Sequence, residues 1–271
     1  MVAILTVQET ASLDAEEFRV YFLSDLLRRA RARAAAPAEV GNGSHGTGMS
    51  QEQTARLLRI SDRQYRDFEH GRVAHPDPHF LEFLAELLAM RRAERALLSH
   101  LAERRVQQFP EPRAADVQRL RPLLDAMGAA PAMITDVGWN LLDWNTAVAE
   151  SLQDPDEVPG ANAILWMFTP EAAARFPQVR EEFALLVGRV RMAYIVGGGG
   201  SRRLQELAEK LTRIPQAAEH WNAGALALEP VIQPRLLARP VRGTRRVSTL
   251  NTLLPEQGLR VIQLIPDAQS V

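Results

Sequence analysis

Residues 49–72 read MSQEQTARLLRISDRQYRDFEHGR, and their spacing predicts two short helices joined by a tight turn. Ser50 with Gln53 forms one capping box and Ser61 with Gln64 a second. In each, the serine hydroxyl accepts an orphan backbone N–H and the glutamine reaches back to the cap. Only Arg59 and Ile60 separate Leu58 from the second cap, and Ala55 is small enough for a second helix to cross closely. Leu57, Leu58, Ile60, Tyr65 and Phe68 supply an apolar seam, and Gly71 ends the second helix where a positive φ is cheap. With the seam buried, Asp62, Arg63, Arg66, Asp67 and His70 fall on the outer face. This is the geometry of a helix-turn-helix whose second helix enters the DNA major groove. The candidate DNA contacts are Asp62, Arg63, Gln64, Arg66, Asp67 and Arg72, with Arg63, Gln64 and Arg66 set to read bases. Gln51 and Arg28 are candidates for phosphate, although Gln64 has a competing role in its cap. A plain helical hairpin shares the periodicity; the doubled caps, short turn and Ala55 favour the DNA reading.

Composition bounds the rest of the chain. Its 271 residues suit two domains, and 46% hydrophobic with 24% charged residues describes an ordinary globular protein. Without cysteine there is no disulfide, thiolate metal site or cysteine nucleophile, which suits a reducing cytoplasm. The opening MVAILTVQ is too short and too poor in positive charge for a signal peptide, and no apolar run approaches a membrane span. The net charge of −1 excludes a globally basic nucleic-acid binder, so any DNA attraction must be local. From Leu26 to Arg72 arginines do outnumber acids, and arginine suits bidentate phosphate or guanine contacts.

Before the motif, Asp14 to about Ala36 reads as one helix, stopped by Pro37 and followed by the glycine-rich segment Ala38–Gly48. After it, Asp77 caps and Pro78 opens a helix reaching about Met90, and another spans Ala93 to Gln108. His75 and His79 have the spacing of a metal pair, but Pro76 and Pro78 break the helix such a pair needs. The two prolines of Phe109–Arg113 mark a linker. The expected domains are therefore 1–108, all-α with about five helices, and 114–271. In the second, Arg119–Gly128 is a helix, Ala132–Asp136 and Trp139–Trp144 form a β-hairpin, and Asn145 caps a helix to Leu152. Asn162–Phe168 and Pro177–Tyr194 are helical. The Gly197–Gly200 run lacks the strand before it and the Lys-Ser/Thr after it that a phosphate loop needs. Helices over Arg202–Arg213 and Pro215–Asn222 precede strands at Leu228–Gln233, Leu236–Val241, Thr244–Leu254 and Leu259–Ile265. That order is α+β with an antiparallel sheet.

The two halves together resemble the XRE-type helix-turn-helix regulators with a C-terminal MmyB-like ligand-binding domain. In the first half the likeness rests on Leu26-Leu27-Arg28-Arg29-Ala30-Arg31, Gly48-Met49 and Ile60-Ser61 through Tyr65, Phe68-Glu69-His70-Gly71-Arg72, continuing over Pro78 and Leu81–Met90. In the second it rests on Pro131-Ala132-Met133-Ile134, Trp139-Asn140, Trp144-Asn145, Asn162, Phe168-Thr169, Arg191, Trp221, Pro240 to Gly243 and Leu259–Pro266. The resemblance implies a PAS-like sensing and dimerisation domain that binds fatty-acid-like or other lipophilic molecules in a dimeric regulator. Three positions depart from the pattern: Arg59 replaces a turn glycine, which implies an adjusted turn, while Val179 replaces a tryptophan and Arg239 a histidine in the ligand domain, which points to a different ligand.

A lipophilic pocket needs apolar walls and one or two polar anchors. The candidate walls are Met133, Trp139, Leu142, Trp144, Leu165, Trp166, Phe168, Phe183, Val187, Tyr194 and Trp221; the candidate anchors are Asn145, Asn162 and Arg191. No Gly-x-Ser-x-Gly elbow, His-Glu-x-x-His or Walker loop occurs, so no enzyme is expected, and no cofactor beyond such a ligand. The expectation is a cytoplasmic, nucleoid-associated bacterial regulator, a homodimer on a pseudo-palindromic operator in double-stranded DNA, with no membrane partner. The alternative is a DNA-binding regulator whose second half only dimerises or recruits a protein.

Overall fold

Both capping boxes of residues 49–72 form. Ser50 Oγ accepts from Gln53 N at 3.0 Å while Gln53 Oε1 accepts from Ser50 N at 2.8 Å; Ser61 and Gln64 repeat the exchange at 3.2 and 2.9 Å. The structure is a computed structural model that describes residues 5–34, 48–239 and 243–267. The expected stop at Pro37, most of the loop after it, and Pro240 lie outside the described residues.

The chain divides into two compact units, Met1–Gln107 with Tyr194–Gly200, and Gln108–Ala193 with Ser201–Val271. In the first, α1 is Val7–Ala11, α2 Ala15–Arg33, α3 Gln51–Leu57, α4 Asp62–Glu69, α5 Pro78–Leu87 and α6 Arg92–Ala102. The first of these was not expected from the sequence; Thr6 and Glu9 cap it with a third capping box. The sixth ends well before Gln108 because Arg104 turns to φ 55. Leu27, Ala55, Tyr65 and Leu84 are fully buried among Phe18, Phe22, Phe68 and Leu97. Full burial of one such large side chain contributes about 1.5–3 kcal/mol. Tyr194 belongs to this unit: its ring meets Phe18 edge-on at 5.5 Å, and its hydroxyl lies 3.0 Å from Thr10 Oγ1. Gly199 follows at φ 70, where a Cβ would come within 2.6 Å of the Phe18 ring.

In the second unit, α7 is Ala114–Ala126, β1 Ala132–Asp136, β2 Leu141–Trp144, α8 Thr146–Ser151, α9 Ala163–Trp166, α10 Pro170–Arg175, α11 Phe183–Val196, α12 Arg202–Thr212 and α13 Pro215–Asn222. Strands β3 Ile232–Arg239, β4 Gly243–Leu254 and β5 Leu259–Pro266 close the chain. The last turn of α11 is the part that goes with the first unit. The sheet is antiparallel throughout, in the order β2-β1-β5-β4-β3, so the first hairpin pairs with the last strand. This is the expected α+β class. The two strands expected over Leu228–Val241 are a single β3, because Pro234 sits on the sheet's edge, where a missing N–H costs no ladder bond.

Strand alternation gives the sheet two different faces. Ala132, Ile134, Leu259 and Val261 pack with Leu124 of α7. The opposite parity, including Met133, Thr249, Asn251, Ile262 and Leu264, lines a cavity shared with residues of α8, α9 and α11.

Candidate nucleic-acid interface and ligand cavity

In the helix-turn-helix unit, burial divides α4 as its periodicity predicts. Tyr65 and Phe68 are buried, while Asp62, Arg63, Gln64 and Arg66 are exposed and Asp67 half-exposed. Helix α2 clamps the far end of α4. Ser24 Oγ donates to the Glu69 carbonyl at 2.7 Å, Arg31 pairs with the buried Glu69 carboxylate at 2.9 Å, and Arg19 donates to the Gly71 carbonyl at 2.9 Å. Burial and the neighbouring Glu69 push the Tyr65 hydroxyl far above its ordinary value, so it stays a neutral packing group. The turn itself carries strain: Arg59 sits at φ 56, a left-handed conformation that favours glycine.

The candidate DNA contacts are not equivalent. Arg63 keeps 88% of its side chain exposed and lies 3.7 Å from Asp67, which also takes a 2.9 Å bond from Arg72. Asp67 thus steers two arginines rather than presenting a free carboxylate. The Gln64 amide oxygen is used in the cap, which leaves its amide nitrogen to face outward. Arg66 Nε reaches back to the Asp62 carbonyl at 3.3 Å. Gln51 opens α3 half-exposed. Arg28, expected at phosphate, is ion-paired to the buried Asp25 at 2.6 Å.

In the second unit the cavity measures about 90 Å³ and is partly open to solvent. Met133, Trp139 and Trp166 line it, together with Phe176, Met167 and Leu186. The other residues named from the sequence go elsewhere. Leu142 packs on the α7 face of the sheet, and Trp144, cross-strand from Met133, is outside the lining. Phe168 and Phe183 stack on each other at 4.4 Å, while Leu165, Val187, Arg191 and Trp221 are buried away from the cavity wall. Tyr194 lies in the other unit.

Two expected anchors are structural. Asn145 makes no side-chain cap; its Oδ1 accepts from Ala132 N at 3.1 Å and its Nδ2 donates to the Ala130 carbonyl at 2.9 Å, tying the hairpin to the end of α7. Asn162 Oδ1 caps α9 through Ile164 and Leu165, and its Nδ2 donates to the Gly138 carbonyl at 2.7 Å. Both amides are buried and spent on backbone groups that would otherwise be orphaned.

The polar lining consists instead of residues the sequence reading passed over: Arg189, Glu229, Arg235, Thr249, Asn251 and Gln153. Arg189 donates to Gln233 at 2.6 Å, and Arg235 pairs with Glu182 at 2.7 Å. Arg260, just behind, pairs with Glu229 at 2.9 Å and lies over the Trp139 ring at 4.2 Å. Burial pushes the Arg235 and Arg260 guanidiniums below their ordinary value, and the glutamates only partly restore them. A signal for Thr249 and Asn251 was present in the sequence, since they share the inward parity of Val247. Arg235 was hidden because the segment was divided at that point.

The cavity thus joins a buried arginine group to apolar walls on one face of the sheet. A family model described as the MmyB-like transcription regulator ligand binding domain matches residues 117–268. The chain belongs to this family. A helix-turn-helix domain model matches residues 23–98, which contain both capped helices. No curated protein matches the chain. The MmyB-like match covers the sheet and every helix around the cavity, and the helix-turn-helix match covers the α4 surface. Among the described residues no helix is long and apolar enough to cross a membrane.

Proposed function

We propose that this chain is a transcriptional regulator that binds duplex DNA through α4 and is controlled by a small molecule held in the second unit's cavity. The observation that carries the reading is the division of α4. Tyr65 and Phe68 are locked inward, while Arg63, its side chain 88% exposed, is steered by Asp67 on the outer face. A helix of eight residues so presented fits the major groove, with Arg63 placed for the O6 and N7 edge of guanine. A homodimer on a pseudo-palindromic site follows from the short reach of one such helix: two half-sites about 34–36 Å apart give the specificity one cannot. Ligand occupancy then acts by differing in affinity between DNA-competent and incompetent arrangements of the dimer.

The test is in vitro selection from a random duplex library with the full chain. The expected outcome is a two-fold symmetric motif with at least one guanine in each half-site. Arg63→Ala should weaken binding to that motif about 5- to 100-fold with an unchanged melting temperature. Enrichment of no motif, or equal binding by the alanine variant, refutes the assignment of α4 as the reading helix.

A further inference from the structure

Among the described residues, the guanidiniums at the polar end of the cavity are unequally paired. Three buried guanidiniums, Arg189, Arg235 and Arg260, face two carboxylates, Glu182 and Glu229. Asp136 lies within reach of Arg260 and shares Arg203 with the exposed Glu111. Arg235 and Arg260 each hold a glutamate at 2.7 and 2.9 Å. Arg189 is left with Glu229 at 3.8 Å and gives its short bond to a neutral amide, Gln233. Its side chain is only 6% exposed. Three polar atoms in the same lining are buried without a hydrogen-bond partner among the described residues: Arg189 Nε, Arg235 Nε and Thr249 Oγ1. A buried cation whose one carboxylate is distant and shared, beside orphaned donors, is costly to fold, and an anion that reaches them relieves both costs at once.

The space sets the size of that anion. The cavity of about 90 Å³ is smaller than the roughly 150 Å³ cavity that takes up benzene in an engineered protein core. Its apolar walls mix aromatic and sulfur-bearing surface, from Trp139, Trp166, Phe176 and Met167, with aliphatic surface such as Ile164 and Leu186, which suits a compact apolar body. A long acyl chain needs walls that part widely; a ring or short branched body needs much less added room, part of which the opening to solvent supplies.

We infer that the cavity takes a compact organic carboxylate, its anionic group received by Arg189 with Arg235 and Thr249, and its small apolar body held among the apolar walls. This rests on the ligand-sensing reading above and names the ligand class. It departs from the fatty-acid-like ligand that the family resemblance implies.

The experiment is calorimetric titration of the full chain with benzoate, salicylate and hexanoate, each beside its uncharged amide, and with myristate. The expected result is that at least one compact acid binds about tenfold or more tightly than its amide, since a charge-assisted contact replaces a neutral one. Arg189→Gln should bring acid and amide within about twofold of each other, the charge that discriminates them having gone. Thr249→Val, nearly isosteric, should fold normally and weaken the acid several-fold, so the test survives if the arginine variant does not fold. Equal affinity for acid and amide, preference for myristate, or no binding by any compact acid overturns the inference. The sensing reading is judged separately, by extracting the purified protein and assaying DNA binding with and without what is released. A neutral or long-chain molecule that alters DNA binding ends the carboxylate proposal and leaves the sensor standing.

Discussion

Arg59→Gly should stabilise the helix-turn-helix unit by about 0.5–1 kcal/mol. Arg59 holds φ 56 between α3 and α4, where a residue with a Cβ costs about 1–2 kcal/mol relative to its relaxed backbone. Glycine removes that strain but gives the unfolded chain more freedom, which offsets about 0.4–1 kcal/mol. Little else changes. The side chain is exposed, and the turn's backbone bonds, Arg59 N to the Arg56 carbonyl and Ile60 N to the Ala55 carbonyl, both 3.1 Å, need no arginine. For a unit of this size the gain corresponds to a rise of about 2–8 °C in its melting transition, read by calorimetry. Arg59→Ala separates strain from side-chain chemistry, because alanine keeps the Cβ and should leave the midpoint within about 1–2 °C. The reasoning is refuted if glycine lowers the midpoint, or if alanine raises it as much. Binding to selected DNA, measured in parallel, should be the same for the two variants; a loss common to both would show that the guanidinium touches phosphate.

Further outcomes follow from the buried polar groups. Gln64→Ala removes half a capping box and should cost about 0.5–1 kcal/mol by urea melting, with a smaller loss of DNA affinity than Arg63→Ala. Glu94 is buried, which raises its carboxyl, but hydrogen bonds from Arg91 and the charge of Arg33 outweigh this and hold it below the ordinary 4.5. Its contribution is therefore complete above about pH 4.5 and lost as pH falls through the depressed value; urea midpoints from about pH 6 down to about pH 3 should decline less steeply in Glu94→Gln, and parallel profiles would contradict this. Asn145→Ala leaves Ala132 N and the Ala130 carbonyl without partners inside the second unit, so it should cost about 2–4 kcal/mol. A cost well below 1 kcal/mol would mean that water replaces the amide.

How much could be read in advance depended on the range of the interaction. Helix α4 and its outward face were legible because capping boxes, a terminal glycine and helical periodicity act within four residues, and the structure forms both boxes as spelled. The β-hairpin and the α+β class were legible for the same reason. The extent of α6 was not, because Arg104 reverses the backbone with a residue that carries no turn signal.

The cavity shows the other limit. Tryptophans mark a buried region in any sequence, and Trp139 and Trp166 did lead to the wall. Asn145 and Asn162 looked like anchors because a polar residue in an apolar stretch invites a ligand, but backbone groups distant in sequence had already claimed them. Arg189, Glu229, Arg235 and Arg260 come from α11, a loop and two strands, and nothing local distinguishes them from surface charges. The amino-acid order alone settled a capped, polar-faced helix pair followed by a sheet domain, since those features come from neighbours along the chain. Only folding decided which charges are buried together and how closely they pair, because burial and pairing belong to groups that the chain brings together across dozens of residues.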